Sequence, residues 1–440
     1  MKQQILNISR YSLWQNNTIV FTLVGLLLLF FLRDCLYINL PFFVFILYLT
    51  VAFIFFKRVD FLALGCVMPL FTHGLQTYLV LGIAMIVFFI RAKKIKLEKT
   101  LILLFVLLLY EALHYFLYKF DFGEYLRYVV IYLYIGIMVT ENQDVSREKR
   151  IQICKVFSIT YLFVMLIIYL QMYNLMGNNN LFSVRFGSLA KLRNEQYVGL
   201  YDNANMIALY SLLSLVICVK VIKNGGNKYV WCIILLLSAT VGFLTQSKTF
   251  FICLGIYILI VAHKILSSKK TSISKKIFVL SGITFLSIFS YLLLFSNMIS
   301  VVWGRFGATD DLFSDRGGVF TGYHRFLMNN PLVLLLGTGL QRFDVCGIAN
   351  APHNAIQETI VCFGIIGFFI VLGIVLSIVK QQKRKNGTQR TDYDLLIMYF
   401  AFIQSIQFFR LSSIALLLLL IMVSMTTERN LSINESYINS

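Results

Sequence analysis

Apolar runs of about 17 to 20 residues recur along almost the whole chain, separated by short polar or charged breaks. A helical run of that length matches the ~30 Å hydrocarbon core of a bilayer, and helix satisfies every backbone N–H and C=O within the run. The pattern predicts spans at 15–32, 38–56, 59–72, 75–91, 100–118, 125–140, 151–172, 204–222, 229–245, 248–266, 276–296, 355–379, 393–409 and 411–426. The third is short and ends on Pro69 and His73-Gly74. Segments three and four therefore read either as two crossings or as one re-entrant pair. The count is then fourteen or twelve, and the side on which every later loop falls is unchanged.

Composition removes the soluble alternatives. The 440 residues are 59% hydrophobic and 13% charged, against about a quarter charged in ordinary soluble domains. No long polar stretch separates two halves, so residues 1–440 read as a single polytopic, all-helical membrane domain. The first span reads as retained rather than cleaved. Lys2 and Arg10 precede the apolar run Ile19 to Leu32, but Arg33-Asp34 follows where a cleavage site needs small residues.

Charge then orients the bundle. With the N-terminus in the cytoplasm and strict alternation, 27 of the 39 basic residues fall inside, among them Lys57-Arg58, Arg91 to Lys99, Lys220 to Lys228, Lys264 to Lys276 and Lys380 to Arg390. That is the positive-inside bias, and it places both termini in the cytoplasm. The net charge of +19 is mainly a topological anchor, and no nucleic-acid partner is implied. The two faces also differ in kind, since 19 of the 27 inner residues are Lys and 9 of the 12 outer ones are Arg. Arginine grips phosphate oxygens with a planar fork, so the outer face suits a phosphorylated ligand. The same arginines could equally pair with Asp202, Asp310, Asp311, Asp315 and Asp344.

Two outer loops stand out by length, 173–203 and 297–354. In the longer one Ser314-Asp315 can cap a helix starting near Arg316, which Asn329-Asn330-Pro331 would end. Val319, Phe320, Tyr323, Phe326 and Leu327 make that helix amphipathic, fit to lie on the membrane surface. The stretch Pro331 to Leu340 then turns back toward the bundle. Most of the eight cysteines sit in apolar runs as small core residues. Cys35 and Cys346 both fall in outer loops, so a disulfide between them is left open.

The residues able to carry chemistry gather on that outer side. Pro352-His353-Asn354 opens a span that continues through Gly364 and Gly367. Upstream lie Pro331, Gly337-Thr338-Gly339 and Arg342, and before them Asp315-Arg316-Gly317-Gly318. Glu111 and His114 sit inside the fifth span one helical turn apart. Ionisable groups in a membrane carry function by default, the alternative being a buried pair that fixes helix packing. Arg127, at the outer start of the sixth span, reads as a partner of Asp121 or Glu124 or as facing a substrate cavity.

Four of these features, in order, resemble the superfamily of O-antigen ligases and repeat-unit polymerases of bacterial surface polysaccharides (the Wzy and WaaL type). Arg193 to Asn205 (RNEQYVGLYDNAN) resembles its "R…G…N-x-N" opening of a span. Thr245-Gln246-Ser247-Lys248 resembles "T-x-S-R", with Lys in place of the usual Arg. Arg316 with Pro331 and Gly337-Thr338-Gly339 resembles "R…P-x-x-G-x-G", and Pro352-His353-Asn354 with Gly364 and Gly367 resembles "P-H-N…G-x-x-G". The matches cover roughly residues 190–370. The N-terminal half resembles the family in hydropathy alone.

The resemblance implies a GT-C-like glycosyltransferase bundle with a large extracytoplasmic loop. It implies work without metal or cofactor on glycans carried by undecaprenyl diphosphate, at the outer face of a bacterial plasma membrane. A polymerase moves the growing glycan onto the next lipid-linked repeat unit, and a ligase moves it to lipid A–core. A flippase and a chain-length regulator would be partners. The chemistry fits, because a glycosyl diphosphate has a good leaving group. The site needs positive charge where the diphosphate gains negative charge, for which Arg316, Arg193, Lys248 and Arg342 are candidates, with Asn205 nearby. It also needs an acceptor for the attacking hydroxyl's proton, for which His353, beside Asn354, is suited. No Walker-type loop and no HExxH motif is present. A transporter of lipid-linked sugars is the alternative from another class, although the long loops and candidate charges all fall on one side.

Overall fold

The computed structural model describes residues 18–72, 74–92, 97–118, 122–142, 145–176, 185–187, 203–268, 272–274, 276–277, 281, 316–340, 343–348, 351–386, 393–406, 416 and 419–420. Among these the chain is all-helical, without a strand. Helices α1 (Thr18–Asp34), α2 (Phe42–Phe55), α3 (Arg58–Val67), α4 (Thr77–Arg91), α5 (Lys99–Tyr118), α6 (Phe122–Glu141) and α7 (Arg147–Met176) form the first half. Then come α8 (Ala204–Lys223), α9 (Lys228–Leu244), α10 (Lys248–Leu266), α11 (Arg316–Asn329), α12 (Pro331–Leu336), α13 (Ala355–Asn386) and α14 (Asp394–Ile403).

Six of them are long and apolar enough to cross a membrane, namely Lys99–Leu117, Phe122–Glu141, Arg147–Asn174, Ala204–Lys223, Lys248–Leu266 and Ala355–Lys380. Four shorter apolar helices accompany them, at Phe42–Phe55, Thr77–Arg91, Lys228–Leu244 and Asp394–Ile403. The expected spans thus recur as helices from α1 to α10 and at α13 and α14. Those at 276–296 and 411–426 fall mostly outside the described residues, as do most of the loop 173–203 and the part of the second loop before Arg316.

The third segment is the unusual one. Pro69 lacks the N–H that an α-helix needs, and α3 gives way to a tighter 3₁₀ turn over Met68–Phe71. At 1.5 and 2.0 Å per residue the two together rise ~23 Å, short of a ~30 Å hydrocarbon layer. Every residue from Asp60 to Phe71 is buried, so the segment is enclosed by other helices. The Tyr210 hydroxyl of α8 donates to Pro69 O at 3.0 Å and fixes its far end. Around it α8 is the most enclosed of the long helices, packed against α7, α9, α10 and α14.

Contacts between distant residues sort by the expected alternation. At one end Arg58 pairs with Glu141, Lys264 with Asp394, and Arg147 bonds Asn224. Arg91 also donates to Phe56 O at 2.6 Å there. This is the end that gathers the lysine-rich segments. At the other end Arg127 lies over the Tyr78 ring, Arg185 bonds Asn205, and Gln357 donates to Phe320 O at 2.9 Å. Among the described residues no ion pair joins residues that the sequence assigned to opposite ends.

None of the eight cysteines is in a disulfide, which corrects the Cys35–Cys346 bridge left open above. Cys35 instead points its thiol at Ile167 O of α7, 3.8 Å away. Cys346 is buried in a short 3₁₀ turn (Phe343–Cys346) in the second loop.

Candidate functional site

From Arg316 on, the described part of the second loop packs onto the bundle. Helix α11 runs over Arg316–Asn329 as the capping signals predict. Its amphipathic face turns inward, so that Tyr323 and Leu327 are buried while His324 and Arg325 are exposed. It packs against α12 and α13. Burial, with Cys346, Cys362 and Glu358 near, pushes the Tyr323 hydroxyl's pKa up and keeps it neutral.

The Pro352-His353-Asn354 turn starts α13. Ala351 and Pro352 are buried and His353 is half-buried. The Asn354 side-chain oxygen accepts from the backbone N–H of Ile356 (3.1 Å) and Gln357 (3.0 Å). Asn354 is therefore the cap of α13, satisfying donors that a helix start leaves unmet. His353 immediately precedes this cap, at the start of the span.

Helix α13 is broken at Gly364, where φ is +64° and ψ is −172°. A break strands the carbonyls of the preceding turn, and the segment after α12 supplies their donors. Thr338 N–H donates to Val361 O and Gly339 N–H to Cys362 O, both at 2.8 Å. Tyr110 Oη of α5 lies 3.1 Å from Phe363 O and 2.6 Å from Leu336 O, its one hydrogen shared between them. The hairpin so formed needs bare backbones. A Cβ on Gly337 would sit 2.3 Å from Cys362 O, and one on Gly364 would sit 2.3 Å from Leu335 O. These two glycines of the motifs are where two chains of backbone touch.

Glu111 and His114 both serve this hairpin. Glu111 Oε2 accepts from Leu340 N–H at 3.3 Å. His114 Nε2 lies 2.8 Å from Leu336 O and Nδ1 2.9 Å from Tyr110 O. A neutral imidazole has one N–H and can donate to one of these carbonyls at a time, whereas the charged ring donates to both.

A second group forms where α8, α9 and α10 meet. Arg185 Nε donates to Thr245 O at 3.0 Å, and its Nη2 donates to Asn205 Oδ1 at 2.9 Å. Gln246 takes a left-handed φ of +51°, unusual for a side chain with a Cβ, and this turn reverses the chain into α10. Ser247 then stands at the N-cap of α10 with its Oγ buried and without a hydrogen-bond partner, and Lys248 follows it. The Arg185 guanidinium thus lies against the turn that leads into the N-terminus of α10, whose first residue is Lys248, so that basic residues and a helix N-terminus share one corner.

The remaining expectations fall as follows. Arg127 pairs with Glu124 at 3.5 Å and stacks on Tyr78, the structural alternative of the two. Arg316 is the first residue of α11, and its side chain lies outside the described residues, as do Arg193 and Arg342 entirely. The sequence reading left out Glu358, fully buried in the first turn of α13, and Tyr132, buried on α6. Among the described residues no cluster of His, Cys, Asp and Glu could hold a metal ion. No protein-family model matches this chain, and neither does any curated protein.

Proposed function

We propose that this chain is a polysaccharide repeat-unit polymerase, an inverting glycosyltransferase that moves a glycan from undecaprenyl diphosphate onto the next lipid-linked repeat unit. The lysine-rich end would face the cytoplasm and the hairpin end the outside of a bacterial plasma membrane. The lipid tails would lie in the bilayer between helices.

The observation that carries this reading is the positive corner at Arg185, Ser247 and Lys248. An arginine held by two hydrogen bonds at a helix N-terminus is a built anion site, suited to the leaving diphosphate. Arg185 takes there the part expected of Arg193. His353, half-buried at the mouth of α13, would orient the acceptor hydroxyl and accept its proton as that oxygen attacks the anomeric carbon. The diphosphate departs with the electrons of the broken bond, and Arg316 would stabilise that charge.

The test is the length distribution of surface and lipid-linked glycan in a host lacking the gene. It is complemented with wild type, Arg185→Ala, Arg316→Ala or His353→Ala. The polymerase reading expects single repeat units in the deletion and no recovery with His353→Ala. Long polymer retained on its lipid would identify a ligase. A transporter of lipid-linked sugars is the second reading, favoured by the break in α13, since transporters place broken helices at mid-membrane. Accumulation of repeat units on the inner face would establish it.

A further inference from the structure

Glu111 Oε1 and Tyr132 Oη are among the buried polar atoms that have no hydrogen-bond partner among the described residues. Both residues are buried, at 0% and 4% exposure. Burial without a partner is costly for a carboxylate oxygen and for a phenol, and native structures seldom tolerate it without a guest or a role. The two belong to one polar neighbourhood, because α5, which carries Glu111, packs against both α6, which carries Tyr132, and α13, which carries Glu358, and both acids lie within electrostatic reach of Tyr132. Glu358 sits one turn into α13, its N–H donating to Asn354 O at 2.8 Å, and so next to the Pro352-His353-Asn354 turn.

We propose that Glu111, Tyr132 and Glu358 form a subsite for a sugar hydroxyl of the acceptor repeat unit, one turn below the His353-Asn354 mouth of α13. The inference rests on the polymerase reading and assigns the acceptor's binding groups within it. A hydroxyl is the complement of this pair, since it donates to a carboxylate oxygen and accepts from a phenol.

The approach to it is aromatic. Tyr115 and Tyr125 stack with centroids 5.8 Å apart, Phe122 lies 5.6 Å from Tyr115, and Tyr125 in turn lies within electrostatic reach of Glu111. Phe122 is exposed, so these rings run from the surface of α5 and α6 toward the carboxylate. Ring faces take the C–H face of a pyranose while its hydroxyls reach polar groups beyond. The Leu340 N–H bond to Glu111 is long at 3.3 Å, and an entering hydroxyl replaces or supplements it. A multivalent cation is the poorer guest, as no set of three ligating side chains surrounds the spot among the described residues.

The test uses the purified full chain and the repeat-unit oligosaccharide, released from its lipid by mild acid and labelled at its reducing end. Equilibrium binding is measured for wild type, Tyr132→Phe and Glu111→Gln, with polymer formation from lipid-linked units followed in parallel. The expected result is saturable binding by wild type, weakened about tenfold in each variant, the effect of one lost hydrogen bond to a buried group. Tyr132→Phe should leave the melting temperature unchanged, because the hydroxyl it removes has no partner to lose among the described residues. A residue with a merely structural role would shift stability and leave binding alone. Absent binding, or equal binding by all three, overturns the subsite, and the polymerase reading then stands if wild type makes polymer. No polymer from wild type overturns that reading and the acceptor role together, while binding lost in Tyr132→Phe still upholds a sugar subsite.

Discussion

Gly337 and Gly364 meet backbone to backbone, one just after α12 and the other in the break of α13. A Cβ on Gly337 would come within 2.6 Å of Gly364 N, and both residues hold positive φ, +86° and +64°. Each conformation is open to glycine and strained for other residues, and the close approach removes the space as well. Gly364→Ala therefore combines backbone strain with a clash against Leu335 O, which is backbone and cannot swing aside. The expected cost is about 3 kcal/mol, seen as a lower melting temperature and loss of monodisperse protein in detergent. Gly255→Ala is the control. Nothing lies within 4 Å of its added Cβ, and helix propensity alone should make it neutral or stabilising by up to ~1 kcal/mol.

Neighbouring residues of the same motif should separate by experiment. Asn354→Ala removes the two hydrogen bonds that cap α13 and should cost about 1 kcal/mol, a loss that Asn354→Asp or Asn354→Ser restores. His353→Ala should leave the stability within ~0.5 kcal/mol of wild type and abolish polymer. Thermal unfolding and glycan length, measured on these four variants, check both statements. A destabilised His353→Ala protein that still makes polymer would remove the histidine from the chemistry.

These contrasts show what the sequence makes legible. Spans are legible because a bilayer demands an uninterrupted apolar run, whatever its neighbours. The helix at Arg316 is legible because its cap and its terminating proline are local. The partner of Glu111 and His114 is not, since the Leu336–Leu340 backbone lies more than two hundred positions along the chain and only folding brings it to α5. The glycines of the hairpin stand out as motif letters, but their reason, two backbones in contact, appears only in three dimensions. Glu358 escapes notice because an acid in a first turn is ordinary for a helix. Tyr132 is one of 24 tyrosines with no local mark of burial.

Arg185 is held by geometry that lysine cannot reproduce, since Nε and Nη2 donate at once to Thr245 O and Asn205 Oδ1. Arg185→Lys keeps the charge and loses the fork. If the corner holds the diphosphate, polymerisation should fall about 100-fold with the fold intact, and Arg185→Ala should fall further. The measurement is the rate of polymer formation from lipid-linked units by purified protein. Rates equal to wild type in Arg185→Lys would show that this corner only joins α8 to the turn before α10.

The pH response of Cys35 follows from its surroundings. Burial first, then the negative charge of Asp34, pushes this thiol up to about 11 from an ordinary 9. The thiolate is the reactive form, so Cys35 should resist maleimide at neutral pH and label about tenfold faster with each unit of pH toward 11. Asp34→Asn removes one of the two causes and should move the labelling profile to lower pH. Stability has the opposite sense. The folded state holds this proton more tightly than the unfolded chain, so its contribution is complete below pH 9 and is lost as pH rises through about 11. Labelling of the Cys35 peptide by mass spectrometry across that window is the check. Rapid alkylation at pH 7 would mean that Cys35 spends much of its time away from Ile167, with the C-terminal end of α1 open to water.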